Sequence, residues 1–182
     1  GQSKYAIKSG LGVGIFKGNP ASIQLAGDTG YIQDSAFSTT DDGNDGGIDF
    51  TTANDALLVG VHNGVFYIDG TTSKPTFANS VAASTTFGTN PNTNSTDGVA
   101  FVNDDPDQEY VVKADAAVGQ AIFGLCGNIN DFAAGDAKDG ASTATFDSGT
   151  QGETKMFRIV RSAEDPDNED LTAAGANIIV VI

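Results

Sequence analysis

No stretch of 12 or more residues in this chain keeps apolar side chains at i, i+3, i+4 and i+7 without a Gly or Pro interrupting it. The period that would build a helical fold is therefore missing. The 23 glycines among 182 residues cut the apolar positions into runs of strand length. Those runs are 11–16 (LGVGIF), 22–26 (SIQLA), 99–103 (VAFVN), 109–114 (EYVVKA), 120–125 (QAIFGL), 141–147 (ASTATFD), 155–161 (KMFRIVR) and 177–182 (NIIVVI). They are rich in Val, Ile, Phe and Thr, and clusters of Gly, Asn, Asp and Ser separate them. That spacing predicts an all-β chain, an antiparallel β-sandwich or a barrel-like sheet with long polar loops.

The strongest local signal is ALLVGVHNGVFYIDG, in which Asn63-Gly64 joins two apolar runs. Asn-Gly suits a type I′ turn because both residues tolerate positive φ, so a hairpin of 57–62 with 65–69 is expected. Single helical turns are allowed at 52–58 and 128–134, beside residues able to cap them. Two polar stretches, 35–49 and 84–98, carry few large apolar side chains and are expected as surface loops. The second marks a soft boundary near Val99. Residues 28–98 and 99–182 are then two β-rich regions, or one domain with a shared core, preceded by an extended N-terminal arm over 1–27.

Charge narrows the function. Nine Lys and Arg stand against 24 Asp and Glu, a formal net charge of −15. Such a surface repels phosphate, so nucleic acid is not an expected partner. Lys4, Lys8 and Lys17 all precede the first acid, Asp28. This basic segment reads either as a solvated terminus or as an arm reaching an acidic neighbour. The longest apolar runs, such as IIVVI, are far shorter than a membrane span, and GQSKYAIKSG lacks the apolar centre of a signal peptide. A membrane is not an expected partner either.

The candidate chemistries are thin. DDGNDGGID resembles a calcium loop, but aligned from Asp42 it places Gly46 at the fifth position and Ala53 where a bidentate Glu is required. A looser site of Asp41, Asp42, Asp45 and Asp49, serving a calcium-dependent glycan-binding module, remains an alternative. One His and one Cys cannot supply a zinc site or a supported nucleophile–base pair. His62 is expected at a strand end, partly exposed, and Cys126 as a small buried apolar residue. SGLGVGIFKGNP lacks the strand-to-helix context of a phosphate loop. The absence of Trp lowers the expectation of an aromatic sugar platform.

An acidic phrase occurs twice, as NDDPDQEYVVKAD at 103–115 and AEDPDNEDL at 163–171. Neither copy has a His partner or a metal-ligand spacing. Pro106 and Pro166 fix φ for a turn, and the flanking acids favour turn geometry. Both copies are expected as the same solvent-facing strand connection used twice.

The C-terminal order of DPDQEYVVKAD, AIFGLCGNINDF, GDAKDGASTATFDSGT, KMFRIVRSAEDPDN and NIIVVI resembles head decoration (cement) proteins of tailed bacteriophages, particularly short-tailed phages of the cyanophage type. The likeness spans roughly residues 55–182. It implies a non-enzymatic virion protein on the outer capsid surface, made in the bacterial host cytoplasm. Its partners would be the major capsid protein and itself, as a homo-oligomer of trimeric type. It implies no cofactor, metal or catalytic residue. Another external phage part, such as a tail, fibre or head-fibre base component, is the nearest alternative. The capsid or inter-subunit contacts are expected on the arm, at Lys4, Tyr5, Ile7, Lys8, Leu11, Val13, Ile15, Phe16 and Lys17.

Overall fold

The computed structural model describes residues 1–24, 30–34, 56–130, 135–149, 151–152, 155–168 and 170–182, with backbone alone at 33, 34, 56 and 57. Among these residues the chain is all-β, with one 3-10 turn at Gln120–Ile122. It divides into two units. Unit 1 comprises Gly1–Ala36, Phe50–Asp105 and Phe132–Thr143; unit 2 comprises Phe37–Asp49, Pro106–Asp131 and Ala144–Ile182.

Unit 1 contains β1 (Gln2–Ile7), β2 (Ile15–Phe16), β3 (Pro20–Gln24), β4 (Ile32–Asp34), β5 (Ala56–Ile68), β6 (Pro75–Ala78), β7 (Ser80–Val81) and β8 (Gly98–Asn103). Six of them form one antiparallel sheet in the order β1-β8-β5-β3-β4, with β6 also paired to β5. The sheet curls into a half-barrel, and its end strands β1 and β4 touch. β2 pairs with β7 as a separate ribbon. Ile7, Leu11, Ile15, Ala21, Ile32, Val65, Val81, Phe87, Ala100 and Val102 fill the interior.

The alternation along β8 shows why this sequence makes a strand. Gly98, Ala100 and Val102 are buried, while Val99, Phe101 and Asn103 lie on the outer face. The small inward residues leave room for Ile7, which pairs with Gly98. Phe87 fills the same space, and a Cβ at Gly98 would come within 2.9 Å of its ring.

Three expectations are corrected here. The N-terminal segment is not an extended arm. β1 pairs with β8 over six residues, from Gln2↔Asn103 to Ile7↔Gly98, and Ile7, Leu11 and Ile15 are core residues. An alternating β1 (QSKYAI) contributes one buried face, and that gain outweighs the freedom of a loose terminus. The stretch 11–16 is strand only at 15–16.

The Asn63-Gly64 hairpin is also not formed. β5 runs straight through this dipeptide, pairing with β3 over 56–61, with β8 over 61–66 and with β6 over 65–68. Folding 57–62 back on 65–69 would replace these ladders with one local ladder. Asn63 is instead the extra residue of a β-bulge between the His62↔Val102 and Gly64↔Phe101 pairs. Gly64 takes φ 138°, which a side chain would resist. His62 is consequently buried mid-strand at 1% exposure, and is not at a strand end.

The third correction concerns the boundary. β8 belongs to the sheet of unit 1, so the division falls at Asp105/Pro106 and not near Val99. The loop over 84–98 is present, but Phe87 anchors it, stacked 4.8 Å from Tyr67.

Unit 2 holds β9 (Tyr110–Lys113), β10 (Cys126–Gly127), β11 (Ile129–Asn130), β12 (Thr145–Phe146), β13 (Phe157–Ser162) and β14 (Asn177–Val181). Four make an antiparallel sheet, β10-β13-β14-β9, and β11 pairs with β12. The expected strand at 120–125 is a 3-10 turn, bounded by Gly119 at φ 67° and Gly124 at φ 89°, whose positive φ reverses the chain. The expected strand over 141–147 is regular only at 145–146. Cys126 is half-buried. The helical turn expected at 128–134 is β11 at 129–130, and residues 131–134 lie outside the described residues; of the one expected at 52–58, residues 52–55 lie outside them and 56–58 are the start of β5.

Candidate docking surface

The outer face of unit 1 is built by register. β1 presents Gln2, Lys4 and Ala6 outward, since Ser3 and Tyr5 are half-buried and Ile7 is buried. Lys4 pairs with Phe101 and Ala6 with Val99 on β8. Phe101 in turn pairs with Gly64 and Val99 with Phe66 on β5, and Phe66 pairs with Phe77 on β6. Paired residues share a sheet face, so these side chains form one surface.

That surface is aromatic. The Phe66 and Phe77 ring centroids are 4.5 Å apart and those of Phe77 and Phe101 6.4 Å apart. Lys4 Nζ stands 6.0 Å from the Phe101 centroid, at the outer reach of a cation–π contact. Phe77 is 74% exposed, the most exposed large apolar residue described. Beside it lies an open groove of about 380 Å³, lined by Asn63, Gly64, Val65, Phe77, Ala78, Asn79 and Phe101. The bulge creates this groove, because Gly64 puts no side chain there. Among the described outward residues of the four strands there is no carboxylate, in a chain that carries 24. Contiguous apolar surface of this kind marks an interaction site more often than it occurs by chance.

The nine expected contact residues separate. Lys4, Lys8 and Lys17 are exposed and Tyr5, Val13 and Phe16 half-buried; Ile7, Leu11 and Ile15 are interior and unavailable to a partner. Tyr5 points inward and donates its hydroxyl to Asp104 at 2.9 Å. Burial, together with the bond to and the charge of Asp104, raises its pKa. Phe16 is covered by Gly135, where a Cβ would fall 2.1 Å from the ring. The turn that Gly135 begins is fastened to the ribbon. Lys17 N–H donates to the Asn79 and Gly140 carbonyls at 2.8 and 2.9 Å, and Ser142 N–H to the Lys17 carbonyl at 2.8 Å. Only Lys4 of the expected set lies on the aromatic face. Phe66, Phe77 and Phe101 were missed because each sits in an ordinary strand run, and only the register shows that they share a side.

The acidic phrases are turns, as expected, but they are not one connection used twice. The first carries the chain from β8 in unit 1 to β9 in unit 2; the second joins β13 to its neighbour β14 within one sheet. Asp165 organises the second. Its carboxylate accepts from Asp167 N–H at 3.1 Å and Asn177 Nδ2 at 2.8 Å. These bonds, with one from Asn168, lower its pKa. Glu169 lies outside the described residues, as do Asp41, Asp42, Asp45 and Asp49. Among the described residues no three His, Cys, Asp or Glu come together as metal ligands.

One carboxylate in unit 2 has a clear structural duty. Asp115 accepts from the Ser148 hydroxyl, from Ser148 N–H at 3.0 Å and from Asn130 Nδ2 at 2.9 Å. Burial pushes its pKa up, but these bonds together outweigh it and the net shift is downward. A carboxylate with a depressed folded pKa contributes stability above its unfolded pKa and loses it as pH falls through the folded value. Unit 2 is therefore expected to lose melting temperature below about pH 4, and Asp115→Asn should flatten that acid limb in a melting series from pH 6 to pH 2.5.

No family model matches the chain, and no curated protein or solved structure is significantly similar to it.

Proposed function

We propose that this chain is a non-enzymatic structural protein of a phage particle, seated on the outside of the capsid and strengthening the shell by contact between proteins. The observation that supports this reading best is the acid-free aromatic face of β1, β8, β5 and β6, with Phe77 standing 74% exposed on it. The open outer face of a curled sheet suits a protein surface better than it suits a small substrate. The resemblance of the C-terminal phrases to cement proteins points the same way. So does the charge of −15, which disfavours contact with packaged nucleic acid. Repetition over a symmetric shell turns a modest contact into firm attachment, so no large interface per copy is required.

Co-sedimentation with undecorated capsids tests the reading. The wild-type chain is expected in the pellet at low salt. Phe77→Ser should reduce per-site affinity about thirtyfold if Phe77 behaves as a buried aromatic anchor worth about 2 kcal/mol. A wild-type chain that stays in the supernatant with capsids at low salt overturns the proposal. Density on the tail of reconstructed particles would move the protein to another external part of the virion.

A further inference from the structure

Asn63-Gly64 is the only place in the chain where an Asn precedes a Gly. Asn63 interrupts the β5–β8 ladder as the extra residue between the His62↔Val102 and Gly64↔Phe101 pairs. A residue extra to a ladder has no cross-strand partner, so its torsions are less constrained than those of its neighbours. The Asn63 carboxamide forms no hydrogen bond among the described residues, and the residue lines the open groove beside Phe77 and Phe101. Gly64 follows at φ 138°, with no Cβ to shield its nitrogen.

We propose that Asn63 is a self-modification site: its side chain cyclises onto the Gly64 amide and loses ammonia, and the product switches off the aromatic face. The switching rests on the reading of that face as the capsid contact. The chemistry is intramolecular. The Gly64 nitrogen attacks Asn63 Cγ, a C–N bond forms, and the side-chain nitrogen leaves as ammonia with the proton from Gly64. Water then opens the cyclic imide. Cleavage at the former side-chain carbonyl gives aspartate at position 63; cleavage at the former main-chain carbonyl gives isoaspartate. Water is the only co-reactant, and the open groove admits it.

Ring closure needs a carboxamide able to turn, and elsewhere the side chains are held. Asn79 Nδ2 donates to the Asp139 carbonyl at 3.0 Å, Asn130 Nδ2 to Asp115 at 2.9 Å and Asn177 Nδ2 to Asp165 at 2.8 Å. Asp-Gly pairs cyclise by the same route with loss of water, but the described ones are fastened too. Asp69 accepts from Thr71 and Thr72 N–H, Asp97 from the Ser95 and Tyr31 hydroxyls, and Asp139 from Ala141 N–H. Either product at position 63 adds a carboxylate beside Phe77 and Phe101, where covering it with a partner is costly. Isoaspartate also routes the main chain through Cβ and Cγ. It thereby lengthens β5 just ahead of the Gly64↔Phe101, Val65↔Ala100 and Phe66↔Val99 pairs, and ahead of the ladder with β6. The face is accordingly competent when new and lost with age. A partner seated on the groove keeps water out, so docked copies retain the amide that unbound copies lose.

Ageing of the folded 182-residue chain in mildly alkaline buffer, followed by peptide mapping and enzymatic labelling of isoaspartate, reads the site directly. Loss of the amide at position 63 is expected ahead of every other Asn, with isoaspartate as the larger product. Asn63→Gln, whose longer side chain closes a larger ring more slowly, should keep its amide and pellet with capsids equally before and after the incubation. Asn63→Asp supplies the charge without ageing and should weaken co-sedimentation with capsids about tenfold, with a melting curve close to that of the parent. An Asn63 that keeps its amide in the folded chain, or loses it no sooner than the other Asn residues, overturns the inference. So does an aged, fully modified chain that pellets as the fresh chain does. If position 63 ages as expected but even the fresh chain ignores capsids, the functional reading falls and the modification site stands.

Discussion

Deletion of residues 1–18 is expected to leave unit 1 unable to fold, where loss of a free arm would leave it intact. The deletion takes away β1 and so strips β8 of one of its two neighbours. It removes β2, and with it the partner of β7. Ile7, Leu11 and Ile15 leave the core at the same time, at 0%, 9% and 0% exposure. Each buried aliphatic side chain is worth about 2–5 kcal/mol when truncated to Ala. Losing three of them, together with a six-residue ladder, exceeds the 5–15 kcal/mol that typically holds a domain folded. Hydrogen exchange of the β8 amides, read against those of β13 and β14, is the direct measurement. Uniform loss of protection over β1's former neighbours is the expected outcome. A deletion variant that keeps β8 protected would make the segment an arm after all. Lys4→Glu and Lys8→Glu change exposed side chains in the same segment and should melt close to the parent, which separates loss of structure from loss of charge.

In unit 2 the largest single-residue effect is expected at Phe146. Its side chain is fully buried, and its backbone is a junction. It pairs with Ile129 across β11 and β12, bridges to Ala114, and accepts from Asp115 N–H at 3.0 Å. The tip of the ring abuts Gly127, where an added Cβ would fall 2.1 Å from Cζ. Phe146→Ala should destabilise by about 3–5 kcal/mol, which lowers the melting temperature by about 6–20 °C for a chain of this size. Gly127→Ala should act in the same direction for the opposite reason, crowding in place of a void. Combining Gly127→Ala with Phe146→Leu should recover part of the loss, because the shorter side chain makes room for the new methyl. Calorimetry of the parent, Gly127→Ala, Phe146→Leu and their combination closes the cycle. Strict additivity would mean that the two positions do not meet.

The sequence was most legible where one strand is read on its own. The runs at 99–103, 109–114, 155–161 and 177–182 are β8, β9, β13 and β14, within a residue or two. It was least legible where the pairing is distant. QSKYAI has no feature that names GVAFVN as its partner, so nothing local distinguishes β1 from a loose arm. Asn63-Gly64 carries the strongest short-range turn signal in the chain, yet two long-range ladders, with β3 and β8, and the β6 pairing hold β5 straight through it. The aromatic face failed to appear for the same reason. Lys4, Phe101, Phe66 and Phe77 come from four segments whose register no local pattern fixes. Local chemistry was more reliable at the acidic phrases, where Pro and Asp set a turn without help from distant residues.

The pairing of β1 with β8 has a consequence for how the protein is made. A ribosome releases Gln2 about a hundred residues before its partner Asn103. At about 5–20 residues per second, β1 spends roughly 5–20 s in the open before the sheet can close on it. Unit 1 still waits then for residues 132–143, the last of its three segments, which synthesis delivers only after β9, β10 and β11. Its assembly is complete only when all three segments have been made. Until then the alternating apolar face of β1 is open to a nascent-chain chaperone.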